Sequence, residues 1–377
     1  MIYSIQDKII YGSFAICITV ILHAISFFYY KQKSNLKDSD KKRIVVELFL
    51  LMTIIMVVFC AFRSVREGYG GTDTPAYMEQ FAKSNVPFSK QIVQFVGWEP
   101  LHYTSLWVVR HFTSDFRVYL CLYNALFSLL LMKYATMFRL SRYHLLSTFA
   151  LVLFMLTSFN TQRNTFAAFF ALFVVDAIIR SEYVKAIVLT LITMGIHVSS
   201  GVLFFPIAAF LFVKYIYGHI KVKYFAYSIG ALCAAVILGN TIQLIIGGSR
   251  LSAYSKTGSI AYGIAGAFLL ILVVFEMYYK QIMHNDKLFK LSLVYLAFAP
   301  AFIFQMYYAI AYRLLLYSIP IMYAIIGEYK QFLCSQKSEV IKRLSCLALD
   351  MVLLYRIAAF FWGNFSDVGS YSNILFN

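Results

Sequence analysis

The chain is punctuated by apolar runs long enough to cross a bilayer, and this pattern constrains the fold more than any other feature. A membrane-crossing helix needs roughly 17–25 apolar residues. The stretches 9–30, 44–62, 117–138, 224–240, 260–279 and 344–362 meet that need, and three longer ones, 143–179, 184–213 and 290–327, exceed it. In hydrocarbon every backbone amide and carbonyl must be satisfied internally, so such runs fold as helices. Apolar residues make up 61% of the 377 positions and charged residues 13%. A soluble domain, in which about a quarter of residues are charged, needs more charge than that to cover its surface. The expected fold is an all-α polytopic transmembrane protein, with residues 1–377 forming a single transmembrane domain.

The net charge of +16 does not point to nucleic acid, because Lys and Arg fall in short clusters between apolar runs. That is the pattern of inner-leaflet loops, with membrane lipids as their partners. The segments 31–43, 133–142, 180–185, 214–223, 280–290 and 330–343 hold 6, 3, 2, 3, 3 and 4 Lys/Arg. If all face the cytoplasm, an even number of spans separates each neighbouring pair. Each long apolar stretch is then a helical hairpin, turning near Asn160–Arg163, His197–Ser200 and Ala311–Arg313. The count comes to about 12 spans (10–13), with both termini outward and 21 of the 33 Lys/Arg inside. The helices of 184–213 are short for a bilayer, and Gly195, Gly201 and Pro206 suggest that they are broken or tilted. The run from Ile9 to Tyr30 lacks a small-x-small cleavage site and reads as a retained anchor.

Residues 63–116 are the longest polar stretch and are expected to form an extracytoplasmic loop region. Within it, Glu99, His102, Arg110 and His111 make the aromatic segment Trp98–Phe112 a poor span, so an interfacial or re-entrant helix is expected there. The six cysteines have no metal-like spacing and mostly lie in apolar runs, implying neither a disulfide framework nor a zinc site.

The outer turns are short and apolar, yet each carries a basic or imidazole group: Arg163, His197, Arg250 (with Lys256) and Arg313. Arg63, Arg66 and Asp73 follow the second span. Charges at the membrane edge are expensive unless paired or facing a wet cavity. Taken singly, an Arg at a helix end suits snorkelling to headgroups, His197 suits a bond to a nearby carbonyl, and Asp73 suits an Asx turn. Taken together they suit an outward-facing anion site, because guanidinium binds phosphate oxygens in a bidentate fork. Arg163 also opens a helix whose first amides favour an anion. Arg66 and Asp73 flank one turn and present a cation beside a carboxylate.

Several motifs then resemble those of one family, in the same order. Arg66-Glu-Gly-Tyr-Gly-Gly-Thr-Asp-Thr-Pro-Ala-Tyr77, ending at Phe81, resembles the Arg…Gly-Thr-Asp-Tyr…Tyr…Phe loop of the EpsG/Wzy-like polysaccharide polymerases. Glu99-Pro-Leu-His-Tyr103 resembles their Glu-Pro-Gly-Tyr segment, and Asn160-Thr-Gln-Arg163 their Ile-Arg-Gln helix start. His197-Val-Ser-Ser200 resembles their His-x-Ser turn, and Tyr312-Arg313 their C-terminal Arg segment. Thr74 and Asn164 stand where the family has Tyr and Gln.

The resemblance implies polymerisation of O-antigen, capsule or exopolysaccharide repeat units at the periplasmic face of the bacterial inner membrane. The growing glycan would pass from one undecaprenyl diphosphate to the non-reducing end of the next lipid-linked unit. The implied partners are undecaprenyl-diphosphate-linked glycans, with a chain-length regulator as a further partner the resemblance allows. No cofactor is implied, and the outer loops lack an Asp-x-Asp motif for a metal. Arg66, Arg163 and Arg313, backed by Arg63 and Arg250 and with Tyr77 beside them, are the expected substrate-binding residues. Asp73 or His197 is the expected base. Two alternatives use a related substrate: a lipid-linked oligosaccharide flippase, and a membrane glycosyltransferase that uses a polyprenyl-phosphate sugar.

Overall fold

A computed structural model describes residues 5–30, 37–65, 73–90, 99–159, 161–216, 260–301, 313–335 and 339–361. The described elements are helical. Six helices among them are long and apolar enough to cross a membrane: Ile5–Tyr30, Asp38–Ala61, Phe116–Met137, Arg142–Phe159, Gln162–Ile179 and Val340–Phe361. Tyr183–Ile196, Val198–Leu211 and Gly266–Met277 are apolar but shorter. The expected span at 224–240 and the turn residues Ala311 and Tyr312 lie outside the described residues.

The exposed faces explain why lipid is the solvent. On the last helix, Val340, Ile341, Leu344, Leu347, Met351 and Leu354 are all exposed, while Leu349 and Leu353 are buried. A helix apolar on both its buried and its exposed faces belongs in hydrocarbon.

The chain divides into two compact units, residues 1–169 with 194–198 and 357–377, and residues 170–193 with 199–356. The first contains α1 (Ile5–Tyr30), α2 (Asp38–Met56, extended by a π turn Val57–Ala61), α3 (Thr74–Lys83), α4 (Pro100–Phe112), α5 (Phe116–Met137) and α6 (Leu145–Met155). It also contains the start of α7 (Gln162–Ile179) and the end of α8 (Tyr183–Ile196). Phe14 of α1 stacks on Phe59 at 4.0 Å. Ser26 of α1 accepts from the Leu140 amide at 2.9 Å and donates to the Phe138 carbonyl at 3.2 Å. Thr53 and Ser128 join α2 to α5 at 2.8 Å. These interhelical bonds satisfy hydroxyls that have no water to turn to.

The stretch 143–179 is a hairpin, as its charge pattern requires. Phe154 and Phe169 stack across it at 6.0 Å. Its turn is tied by Thr161, which reaches back to the Thr157 carbonyl (3.1 Å) and forward to the Thr165 hydroxyl (2.9 Å). Residues Pro100–Phe112 form a 13-residue helix that is not among the membrane-crossing ones. Proline at its start suits a position whose amide has no helical partner. Phe81, Leu106, Phe116, Tyr119 and Leu120 form the apolar cluster that locks α3, α4 and α5 together.

In the second unit, α9 (Phe204–Ile216), α10 (Ile260–Met277), α11 (Tyr279–Ile282), α12 (Asp286–Leu296), α13 (Ile319–Ser335) and most of α14 (Glu339–Phe361) follow the body of α7 and α8. Ser292 and Tyr329 bond at 3.0 Å between α12 and α13. Lys287 pairs with Glu328 at 2.9 Å, and Lys330 pairs with Asp350. Asp176, near the end of α7, likewise pairs with Arg180 at 3.1 Å.

Candidate functional site

In the first unit, one carboxylate gathers residues that are far apart in sequence. Glu99 occupies the N-cap position of α4, yet its side chain does not cap the helix. It instead forms an ion pair with Arg163 at the start of α7 and a hydrogen bond with Nδ1 of His197 just after α8. The Val198 amide donates to the same Glu99 oxygen at 3.4 Å. Glu99, His102 and His197 are all buried, so mutual pairing is what makes a carboxylate affordable here.

Local sequence explains why these groups meet. Gly195, two residues before His197, lies against Leu101 of α4, and a Cβ at that position would come within 2.9 Å of Leu101 Cγ. The missing side chain lets the end of α8 approach the first turn of α4. Tyr77 of α3 closes the other side. Its phenol feels the Arg163 charge. The guanidinium carbon lies 5.7 Å from the centre of its ring. The Tyr77 and His102 rings meet edge-on at 6.2 Å.

The electrostatics follow from this packing. Burial alone would raise the Glu99 carboxyl, but the His197 contact and the Arg163 charge outweigh it and hold the group below its ordinary value. His102 is pushed down to about 3, by burial first and by the Arg163 charge second, so its imidazole is neutral at working pH. Burial raises the Tyr77 phenol, opposed by Arg163. Among the described residues, no group of three or more His, Cys, Asp or Glu is arranged to hold a metal ion.

Beside this cluster is a cavity of about 390 Å³ between α4 and α5. Leu101, Val108, Leu122, Leu126, Phe166 and Ile196 give it an apolar wall, while Arg163, His102 and Ser105 supply its polar groups.

A family model described as EpsG family matches residues 46–367. The chain belongs to the EpsG family. Membership associates it with polymerase-type polysaccharide synthesis in a membrane. No curated protein and no solved structure matches it.

The structure of this EpsG-family chain brings together Arg163, His197 and Tyr77 from the expected set. Asp73 is exposed at the N-cap of α3, one turn before Tyr77, whose phenol feels its charge. Arg63 is buried, and its guanidinium donates to the Cys60 carbonyl and to the Thr74 hydroxyl (3.4 Å). It also lies 4.1 Å over the Phe159 ring. Thr74, a departure from the family pattern, donates to the Phe159 carbonyl at 2.8 Å and so ties α3 to the α6–α7 turn. Arg313 is an exposed helical residue of the second unit. Arg66 and Arg250 lie outside the described residues.

Glu99 and His102 are the members that sequence reasoning assigned no role. The signal for Glu99 was present: a lone acid opening a helix that carries no other carboxylate needs a cationic partner.

Proposed function

We propose that this protein polymerises undecaprenyl-diphosphate-linked oligosaccharide repeat units at the periplasmic face of the bacterial inner membrane, without a metal. The observation that carries this reading is the joining of Arg163 and His197 through Glu99 in one buried cluster, next to an apolar cavity.

In the proposed reaction, a hydroxyl at the non-reducing end of one lipid-linked unit attacks the anomeric carbon of the growing glycan. A new glycosidic C–O bond forms as the bond to the donor's lipid diphosphate breaks. The leaving diphosphate takes the electron pair. In this reading the Arg163 guanidinium, with the Tyr77 ring beside it, neutralises that charge. The acceptor proton goes to His197. Glu99 accepts from Nδ1–H, which leaves Nε2 as the basic nitrogen, the division of labour expected of a carboxylate-oriented imidazole. Asp73 is the second candidate for base, and Arg313, Arg66 and Arg250 are further candidates for diphosphate contacts.

The test compares surface glycan from cells carrying the wild-type protein, Arg163→Ala or no copy of the gene. Loss of long chains with single repeat units still reaching the final acceptor is the expected result for both altered strains. Loss of all repeat units from the surface would instead indicate a transporter. Wild-type chain lengths with Arg163→Ala would remove Arg163 from the mechanism.

A further inference from the structure

The cavity between α4 and α5 has a chemical asymmetry that the reaction alone does not use. Its α4 side presents Leu101, His102, Ser105, Val108 and Val109, and its α5 side presents Tyr119, Leu122, Tyr123 and Leu126. These positions recur at the three- and four-residue spacing of one helix face, so the two helices line a groove rather than an isolated hole. The α5 wall from Tyr119 to Leu126 runs about 10 Å at 1.5 Å per residue. The groove opens outward, since Leu101, Val108, Leu122 and Leu126 are each 41–53% exposed. α5 is a membrane-crossing helix by length and composition, so that opening meets lipid.

Its polar groups differ sharply from the rest of the wall. Arg163 contributes a guanidinium whose Nε is buried without a partner, and His102 is 5% exposed with its Nε2 likewise unpartnered. Buried polar atoms left unsatisfied are costly, and a bound anionic or hydrogen-bonding head would relieve both. A ligand for this groove is therefore an amphiphile: an anionic head at Arg163 and an extended apolar chain along α5.

We propose that the groove seats the isoprenoid chain of a polyprenyl diphosphate whose head lies at Arg163. This rests on the function proposed above and deepens it. That reaction brings a diphosphate to Arg163, and the chain attached to it must leave along an adjoining wall that is apolar and open to the bilayer. His102, neutral beside the guanidinium, donates a ring N–H to the diphosphate without adding charge.

The test uses the full chain in lipid nanodiscs and a polyprenyl diphosphate bearing a diazirine on a prenyl unit close to the head. Label should fall on peptides containing Leu101–Val109 and Tyr119–Leu126. Unlabelled undecaprenyl diphosphate should suppress it, and phosphatidylglycerol at equal concentration should not. Leu122→Trp or Leu126→Trp should fill the groove and cut labelling about tenfold, the factor that losing the burial of about two methylenes produces. Leu50→Trp adds the same indole to an exposed site on α2 and should label like wild type. Thermal melts check that each variant is folded. Label elsewhere, equal competition by phosphatidylglycerol, or unchanged labelling in both groove variants would overturn the proposal. Groove label in a protein that lengthens no glycan would keep the groove and sink the polymerase reading. Glycan lengthening with no groove label would do the reverse.

Discussion

Replacing Glu99 by Gln asks whether one carboxylate holds the candidate site together. The change keeps the side chain's shape and removes the charge that Arg163 and His197 both face. The Glu99 and Arg163 side chains are 9% and 23% exposed, so solvent screening takes little from the pair. Removing one partner of a buried pair costs about 3–5 kcal/mol, because the other charge is left uncompensated. Arg163 keeps its contacts with Tyr77 and some access to water, which places the expected loss at the lower end, about 3 kcal/mol. Arg163→Met should cost a similar amount by stranding the carboxylate instead. The double variant strands neither, so it should be more stable than the summed losses imply, with a coupling of about 1–3 kcal/mol. Reversible unfolding of the four proteins in mixed micelles measures each term. Additivity to within about 0.5 kcal/mol would refute the argument that these groups depend on each other.

The pH dependence of the same comparison has a definite sign. The Glu99 carboxyl is held below its ordinary value of 4.5 when folded, so its contribution to stability is full above that value and fades as pH falls through the lower folded one. The gap between wild type and Glu99→Gln should therefore shrink below about pH 4.5, and a constant gap would mean the carboxylate is not charged in the fold. His197→Gln should slow glycan lengthening by about 100-fold or more, as removal of a general base does, with lipid-linked units accumulating in membranes. If that variant lengthens chains normally and Asp73→Asn does not, the base is Asp73. Gly195→Val should push Leu101 away from the end of α8, costing about 1–3 kcal/mol of stability through overpacking and shortening glycan chains, as read by melts and gel profiles. Lengthening by purified protein should continue in excess chelator, and its arrest would put a metal into the reaction.

Much of the architecture was written in one dimension. A bilayer forces every apolar run of sufficient length into a helix, so hydropathy alone sets the class. The spacing of basic clusters then divides 143–179 into two helices, and the described break between Phe159 and Gln162 falls where that logic places it. Arg163 and His197 were visible because isolated charge is costly in an apolar setting, so its presence there calls for a reason. Asp73 and Arg313 drew notice on the same grounds, but a cost argument does not say which neighbours repay it.

That choice belongs to tertiary packing. Glu99 is 64 residues from Arg163 and 98 from His197, and no local pattern encodes such distances. They meet because Gly195 lets α8 close on Leu101, and because the α6–α7 hairpin presents the first turn of α7 to Tyr77. Arg63, expected from sequence among the substrate-binding residues, is likewise placed by packing, against Cys60, Thr74 and Phe159. The sequence by itself determined a helical membrane protein with costly polar groups at its turns. Only the three-dimensional packing decided which of those groups share a carboxylate, because helix contacts are set by side-chain fit between distant segments rather than by spacing along the chain.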